Sequence, residues 1–471
     1  MSPAAPKRWR WRCRKTWSPD QAAASTRGQP VDWPKVGFAG LALSLDYMCR
    51  LHAQASSGPA ERRPLMTLDP VQLESYLTRL HGRPVRLVTT RGLSDRRIPA
   101  AATSASPGAA LKVFGYGRPL YIEYQVEGEP ETARVVLHTA PANQFGHENR
   151  ADRAAQLLLA YDTFNTLPQH VPALDVGVLM AEEGAEDGAQ PAAPGVLRLR
   201  SLGGSDEFFL LSRFVDGDPY ALDLQRLRDG GSLAALDLDR ARALAAYLAR
   251  IHAVPYPGPD ERSANSGGLN RAALYRRRIR DLLGSGEGIM GLIDSYPSDF
   301  SLVDAAWLQE VEQACVRWRW TLKGRSRRLR QVHGDFHPFN ILFDGPTHFA
   351  LLDRSRGAWG EPGDDVSCLA INYLFFGLQQ AGRLTSPFVD LWETFWETYL
   401  DQTGDRELLE VVAPFLVWRA LVLASPVWYN VADSVRLAFF RLIRRVLEEP
   451  VFDPQRIDDY LAVSTTRAVR P

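Results

Sequence analysis

The hydrophobic pattern of this chain turns from largely strand-like to predominantly helical after Val215-Asp216-Gly217-Asp218. Upstream, apolar residues alternate in twos. From Leu120 to Val126, Tyr121, Glu123 and Gln125 fall opposite Ile122, Tyr124 and Val126, the period of a strand. Downstream, Ala241, Leu244, Ala245, Leu248 and Ile251 recur at helical spacing. A chain divided in this way predicts a small antiparallel β-rich lobe followed by a larger helical one, an α+β arrangement with a cleft at the join. At 471 residues it is long enough for both lobes to have substantial cores.

Individual elements follow from the same periods. Asp69 reads as the N-cap of a helix over 70–81, followed by a strand at 85–90. Strands are expected at 110–114, 120–126 and 133–139, then a helix over 147–165 and a strand pair at 174–180 and 208–214. Helices are expected from Asp237 onward and over 271–283, 304–319, 365–379, 388–403 and 406–423. One short hairpin, 341–353, interrupts them, and there is no internal repeat.

Composition excludes several classes. Lys plus Arg equals Asp plus Glu at 55 each, which argues against a broad nucleic-acid surface and predicts no specific nucleic-acid partner. Cysteines at 13, 49, 315 and 368 are too scattered for a disulfide scaffold and predict a reducing, cytoplasmic setting. The apolar run 36–45 is about half of a membrane span, and Arg419 breaks the run from Pro414 to Trp428, so no membrane association is expected. The basic, Trp-rich start (Lys7-Arg8-Trp9-Arg10-Trp11-Arg12) lacks the form of a secretory signal. Alternating Arg and Trp could also meet nucleic acid or an anionic membrane. Residues 1–65 are nevertheless expected to be a disordered or misassigned extension on which no function rests.

Chemistry concentrates in Val332-His333-Gly334-Asp335-Phe336-His337-Pro338-Phe339-Asn340, the hairpin after it, and Asp353. Two apolar strands joined by Asp344-Gly345-Pro346-Thr347-His348 bring Asn340, before the first strand, beside Asp353, after the second. An amide oxygen next to a carboxylate is a hard donor pair suited to Mg²⁺, which fills its other positions with water and phosphate oxygens. Asp335, five residues before Asn340, could orient a substrate hydroxyl or amine and accept its proton.

With His333-Gly334-Asp335, the five-residue step to Asn340 and the later Asp353, the sequence resembles the aminoglycoside phosphotransferase/choline kinase family. The resemblance spans 66 to about 450 and is most specific over 332–372. It implies a bilobal protein-kinase-like fold, an N-lobe over 66–215 and a C-lobe over 216–460. The implied activity is phosphorylation of a small molecule by ATP or GTP with Mg²⁺. Asp335 would be the catalytic carboxylate, Asn340 and Asp353 the metal ligands, and His333 and Asp365 supports of the catalytic loop, with Asp365 capping the next helix. Asp353-Arg354-Ser355-Arg356-Gly357 stands where protein kinases carry Asp-Phe-Gly.

Upstream, the turn Phe114-Gly115-Tyr116-Gly117 would let backbone amides of Gly115 and Gly117 approach phosphates, and backbone groups around Ser212 to Phe214 would receive a purine. The departure is at the third strand. His138 stands where the family places a phosphate-gripping Lys, with Lys112 a substitute cation and Glu148, or its rival Asp152, the partner carboxylate. A phosphate beside His138 would raise its protonated fraction.

Alternatives remain open at this level. His333, Asp335 and His337 could instead serve a zinc-dependent hydrolase with Asp353, or the loop could be purely structural. His138 allows a nucleotide-binding pseudokinase of the same fold. Arg276-Arg277-Arg278-Ile279-Arg280 and 325–330 read as solvated basic runs, although either could meet an anionic substrate. The second run, just before His333, disfavours cationic aminoglycosides. The loop 284–288 reads as a linker, the tryptophans as packing, and Cys368 as a small buried hydrophobe. Neither the acceptor nor the oligomeric state is legible.

Overall fold

Asp69 accepts from the Val71 amide at 3.0 Å and starts helix α1 (Pro70–His81), which buries Leu73 and Leu77 and ends on Gly82 in the left-handed region. The computed structural model of the protein describes residues 68–92, 119–179, 207–259, 270–354 and 356–463, all within a unit that begins at Leu65. The expected strand at 110–114, and the turn carrying Lys112, Gly115 and Gly117, lie outside the described residues, as do residues 1–65.

The N-terminal lobe is an antiparallel sheet of β1 (Val85–Gly92), β2 (Leu120–Val126), β3 (Thr132–His138), β4 (Ala173–Leu179) and β5 (Glu207–Arg213). Its order is β1-β2-β3-β5-β4. Ile122, Tyr124 and Val126 of β2 pack with Leu73 and Leu77 of α1 on one face, as the alternation requires. Tyr121, on the other face, is also buried because Phe214 meets it edge-on with ring centroids 5.0 Å apart.

Between β3 and β4 runs α2 (Arg150–Phe164), whose Leu157, Ala160 and Phe164 pack on Ala173 and Leu210. This helix starts three residues later than the period suggests. Asn149 is the N-cap, and its amide donates to Asp152 at 3.0 Å, so Glu148 falls outside the helix and Asp152 serves the cap.

The connection to the second lobe is short. Gly217 has φ +147, and a Cβ there would lie 3.1 Å from the Phe343 carbonyl, so this approach requires glycine. It lets β6 (Asp218–Pro219) pair with the later hairpin. Then follow α3 (Tyr220–Arg228), α4 (Ala235–His252), α5 (Arg271–Gly284), α6 (Ile289–Asp294), α7 (Ala305–Leu322) and β7 (Arg330–Gln331). The hairpin β8 (Ile341–Phe343) and β9 (Phe349–Leu351) comes next, then β10 (Trp359–Gly360), which pairs with β7.

The chain finishes with α8 (Pro362–Ala381), α9 (Phe388–Thr403), α10 (Ala413–Ala424), α11 (Asp433–Glu448) and α12 (Ile457–Leu461). Helix α8 is buried from Pro362 to Leu378 and forms the axis of the lobe, as an all-round apolar helix must. The helix expected over 406–423 is divided: a 3₁₀ turn, Arg406–Glu410, precedes α10, because Pro414 fits only a first helical turn. Trp392 and Trp396 are core residues, whereas Trp320 is 62% exposed beneath Lys323. The molecule has the α+β, bilobal, protein-kinase-like fold that the sequence predicts.

Candidate active site

The hairpin forms in the expected register, with Ile341 opposite Leu351 and Phe343 opposite Phe349. The Leu352 amide then donates to the Asn340 carbonyl at 2.9 Å, which brings Asn340 alongside the Leu352–Asp353 step. The Asn340 side-chain amide donates to the Asp335 carbonyl at 3.1 Å and approaches its carboxylate at 3.4 Å. Asp335, Asn340 and Asp353 thus share one end of the hairpin.

Buried carboxylates brace the loop from below. Asp365 is inaccessible to solvent and accepts from the amides of His333 at 2.8 Å and Gly334 at 2.7 Å. Burial alone would raise its pKa, but His252 at 3.1 Å, His333 and the backbone donor hold it below the ordinary carboxylate value. The carboxylate therefore serves the loop and does not cap α8, whose N-cap is Glu361. His252, at the end of α4, also meets the Tyr399 hydroxyl at 2.8 Å and links α4 and α9 to this brace. Gly334 has φ +91, and a Cβ on it would lie 3.0 Å from the Arg356 Cβ. A side chain is excluded there.

His333 is fully buried, and both ring nitrogens are engaged. Nε2 meets the Leu352 carbonyl at 2.9 Å, and Nδ1 accepts from the Asp335 amide at 3.2 Å. Desolvation lowers its pKa to about 4. The zinc-hydrolase arrangement of His333, Asp335 and His337 is thereby corrected, because a metal ligand needs a nitrogen lone pair directed at the ion. Among the described residues no group of three or more His, Cys, Asp or Glu side chains is placed to hold a metal.

Asp335 has a partner that the sequence reading missed. Arg419 of α10, with its side chain 9% exposed, donates to Asp335 at 2.7 Å, to Asp364 at 2.8 Å and to the Gly334 carbonyl at 3.2 Å. Burial would raise the Asp335 pKa. His337, 3.4 Å away, and Arg419 outweigh burial and keep the carboxyl well below its ordinary range. The signal was present in the sequence as one arginine inside an otherwise apolar helix, which in a packed core needs a carboxylate.

Asp353 is exposed and adopts φ +53, a left-handed conformation that is uncommon for a non-glycine residue. The residue after it explains how that conformation is held. Arg354 has no solvent exposure and donates to the carbonyls of Val332 (2.7 Å), Thr163 (2.7 Å) and Ala358 (3.2 Å) and to the Thr166 hydroxyl (2.8 Å). A guanidinium thus stands where protein kinases place phenylalanine, and ties the end of α2 to both strands of the active-site loop. Desolvation lowers its pKa to about 10.

In the sheet of the first lobe, His138 is half-buried and its Nε2 lies 3.1 Å from the Ser212 hydroxyl. Burial lowers its pKa to about 4, which favours the neutral ring near pH 7. The Arg213 amide donates to Pro172 and the Phe214 amide to Arg134, so neither donor can meet a purine without breaking a bond. Glu148 is exposed and accepts from the nearby Gly146 amide at 3.4 Å. The tie between helix and sheet runs instead from Arg153 of α2 to Glu207 of β5 at 2.8 Å, with the charge on the helix positive.

Most of the basic run before His333 is paired. Arg325 and Arg327 pair with Glu407, and Arg328 pairs with Glu361 and Asp405, which weakens the argument against a cationic acceptor. Loop 284–288 is more than a linker: Glu287 pairs with Arg356 at 3.1 Å, and its carbonyl receives the Trp418 indole at 2.7 Å. Cys368 is buried, with its sulfur 3.9 Å from Asp335.

Comparison with known proteins places this site in context. No curated protein sequence matches the chain. Among solved structures, a thermostable mutant of an aminoglycoside phosphotransferase in complex with AMP-PNP and hygromycin B is 15% identical, with TM-score 0.41, covering 80% of this chain and 98% of that one. An amicoumacin kinase is 14% identical, with TM-score 0.41, covering 74% and 92%. A choline kinase from Streptococcus pneumoniae is 12% identical, with TM-score 0.37, covering 80% and 98%. Residues 174–415, more than half of the sequence and inclusive of Asp335, Asn340, Asp353 and Asp365, match the model of the phosphotransferase enzyme family, and the chain belongs to that family.

Proposed function

We propose that the protein is a small-molecule kinase that transfers the γ-phosphate of ATP or GTP to a hydroxyl or amine of an acceptor, with Asp335 as the catalytic carboxylate. The observation that carries this reading is the joining of Asp335 and Asn340 by a side-chain hydrogen bond at the mouth of a hairpin whose other strand ends at Asp353. The Asn340 amide nitrogen is held by Asp335, so its oxygen is the atom left for a cation, and Asp353 adds an exposed carboxylate. Two hard oxygen donors suit Mg²⁺, which takes one or two protein ligands and completes its shell with phosphate and water. When bound, the ion would neutralise charge on the β- and γ-phosphates.

The chain's own residues supply positioning. His337 and Arg419 keep Asp335 ionised and Arg419 fixes one carboxylate oxygen, so Asp335 orients the acceptor O–H or N–H toward phosphorus. The acceptor atom forms the new bond to the γ-phosphorus as the bond to the β-phosphate bridging oxygen breaks. The nucleoside diphosphate leaves, and the acceptor proton passes to Asp335 and then to solvent. A strongly acidic carboxyl is a weak base, which a loose phosphoryl-transfer transition state tolerates.

Neutral His138 supports a second reading, a nucleotide-binding pseudokinase of the same fold. Radiolabelled γ-phosphate transfer over an acceptor panel separates the two. The kinase reading expects transfer by wild type and a loss of at least about a thousandfold in Asp335→Ala, as expected when a catalytic group is removed. Nucleotide binding with no transfer to any acceptor would favour the pseudokinase.

A further inference from the structure

Beside the catalytic loop, a cavity of about 400 Å³ opens between α2, α5 and residues 356–359. Its walls include Arg277, Arg278 and Arg356 against one carboxylate, Asp162. Arg356 touches the catalytic loop itself, as the 3.0 Å approach of its Cβ to the position of a Gly334 Cβ shows. The run Arg276–Arg280 is therefore only partly a solvated face: Arg277 is 57% exposed, but Arg278 is 15% exposed and points inward.

The two inner arginines are incompletely satisfied. The Nε atoms of both Arg278 and Arg356 are buried without a hydrogen-bond partner. Arg356 retains one ion pair, to Glu287 at 3.1 Å. Arg278 meets Asp281 at 3.7 Å, beyond hydrogen-bond distance, shares it with Arg277 at 3.8 Å, and feels Asp364 through charge alone. Desolvation lowers the Arg278 pKa, whereas carboxylates raise that of the better-paired Arg356. A buried guanidinium with an unmet N–H is costly unless an acceptor of hydrogen bonds fills the gap. Phosphate and carboxylate groups match the planar fork of arginine, and a cation here would face a wall with three arginines and one carboxylate.

We propose that the acceptor of this kinase is anionic, and that its phosphate or carboxylate group is held in this cavity by Arg278 and Arg356. The inference rests on the kinase reading above and adds the charge class of the acceptor. Arg278 anchors the anionic group away from the reacting atoms, and Arg356 lies between that anchor and the His333-Gly334-Asp335 loop. Aminoglycosides and choline carry the wrong charge for this wall.

Calorimetric titration of the full chain with glycerol 3-phosphate, inorganic phosphate and choline tests the proposal, with Mg²⁺–AMP-PNP titrated separately. The expected result is binding of glycerol 3-phosphate at millimolar Kd or tighter, and none of choline. Arg278→Gln should weaken glycerol 3-phosphate by about tenfold or more, with Arg278→Lys intermediate, while nucleotide affinity stays the same. Arg278→Lys keeps the charge, so its melting temperature separates loss of binding from loss of fold. Choline bound in preference, neither anion bound, or equal anion affinity in wild type and Arg278→Gln would each overturn the proposal. Absence of Mg²⁺–AMP-PNP binding in wild type would instead refute the kinase reading and leave the anion site to be judged on its own titration.

Discussion

Arg419 decides the electrostatics of the candidate site, because one guanidinium holds both Asp335 and Asp364. Its removal leaves the buried Asp364 and the partly buried Asp335 without their shared cation. Arg419→Met should therefore cost roughly 3–5 kcal/mol in chemical denaturation, the usual penalty for breaking a buried pair. It should also raise the Asp335 pKa and move the acid limb of any activity profile to higher pH. An unaltered denaturation midpoint would contradict this. The histidines set a separate pH window. His138 and His333 have folded pKa values near 4, below the unfolded value of about 6.5, so the unfolded chain binds more protons between these limits. Stability should fall as pH drops from about 6.5 to 4 and then cease to fall on their account. A melting temperature that is flat across that window would count against neutral burial of both rings.

Element-scale behaviour turns on how the active-site loop is clamped. Gly334→Ala would force a Cβ against Arg356 at a positive φ, and Arg354→Met would strip donors from the carbonyls of Val332, Thr163 and Ala358. Each should destabilise by about 1–3 kcal/mol in denaturant titration. Arg354→Met should also loosen the end of α2 relative to the loop, read as faster amide exchange at Thr163 to Thr166. Equal exchange in variant and wild type would show that the arginine is not the clamp.

The hairpin and its flanking residues were legible in the sequence because register and turn chemistry are local. The division of 406–423 was less so, since Pro414 marks a first turn only once the preceding 3₁₀ segment is known. Long-range partners were invisible. Nothing near Asp335 in sequence announces Arg419, 84 residues away, and the Arg153–Glu207 tie spans 54.

At the scale of the whole molecule, the two lobes meet along a chain of contacts from Phe145, whose ring is tilted against Trp428 with centroids 4.6 Å apart, to Gly146, packed against Gly286. A Cβ on Gly286 would fall 2.1 Å from the Gly146 amide nitrogen, so the two backbones touch. That closeness places the β3–α2 connection over loop 284–288, whose Glu287 pairs with Arg356 beside the catalytic loop. The bilobal division was readable from the change of hydrophobic period, but this contact between the lobes was not, because glycine-to-glycine packing leaves no hydrophobic pattern.

The central claim is that Asn340 and Asp353 form the cation end of a nucleotide site served by Asp335. Calorimetric titration of ATP into wild type and Asp353→Ala, with and without Mg²⁺, tests it most directly. The account predicts binding that requires Mg²⁺ and weakens by at least about tenfold in Asp353→Ala, the loss of a charge-assisted ligand. Nucleotide binding that is indifferent to both Mg²⁺ and Asp353, or no binding at all, would contradict it.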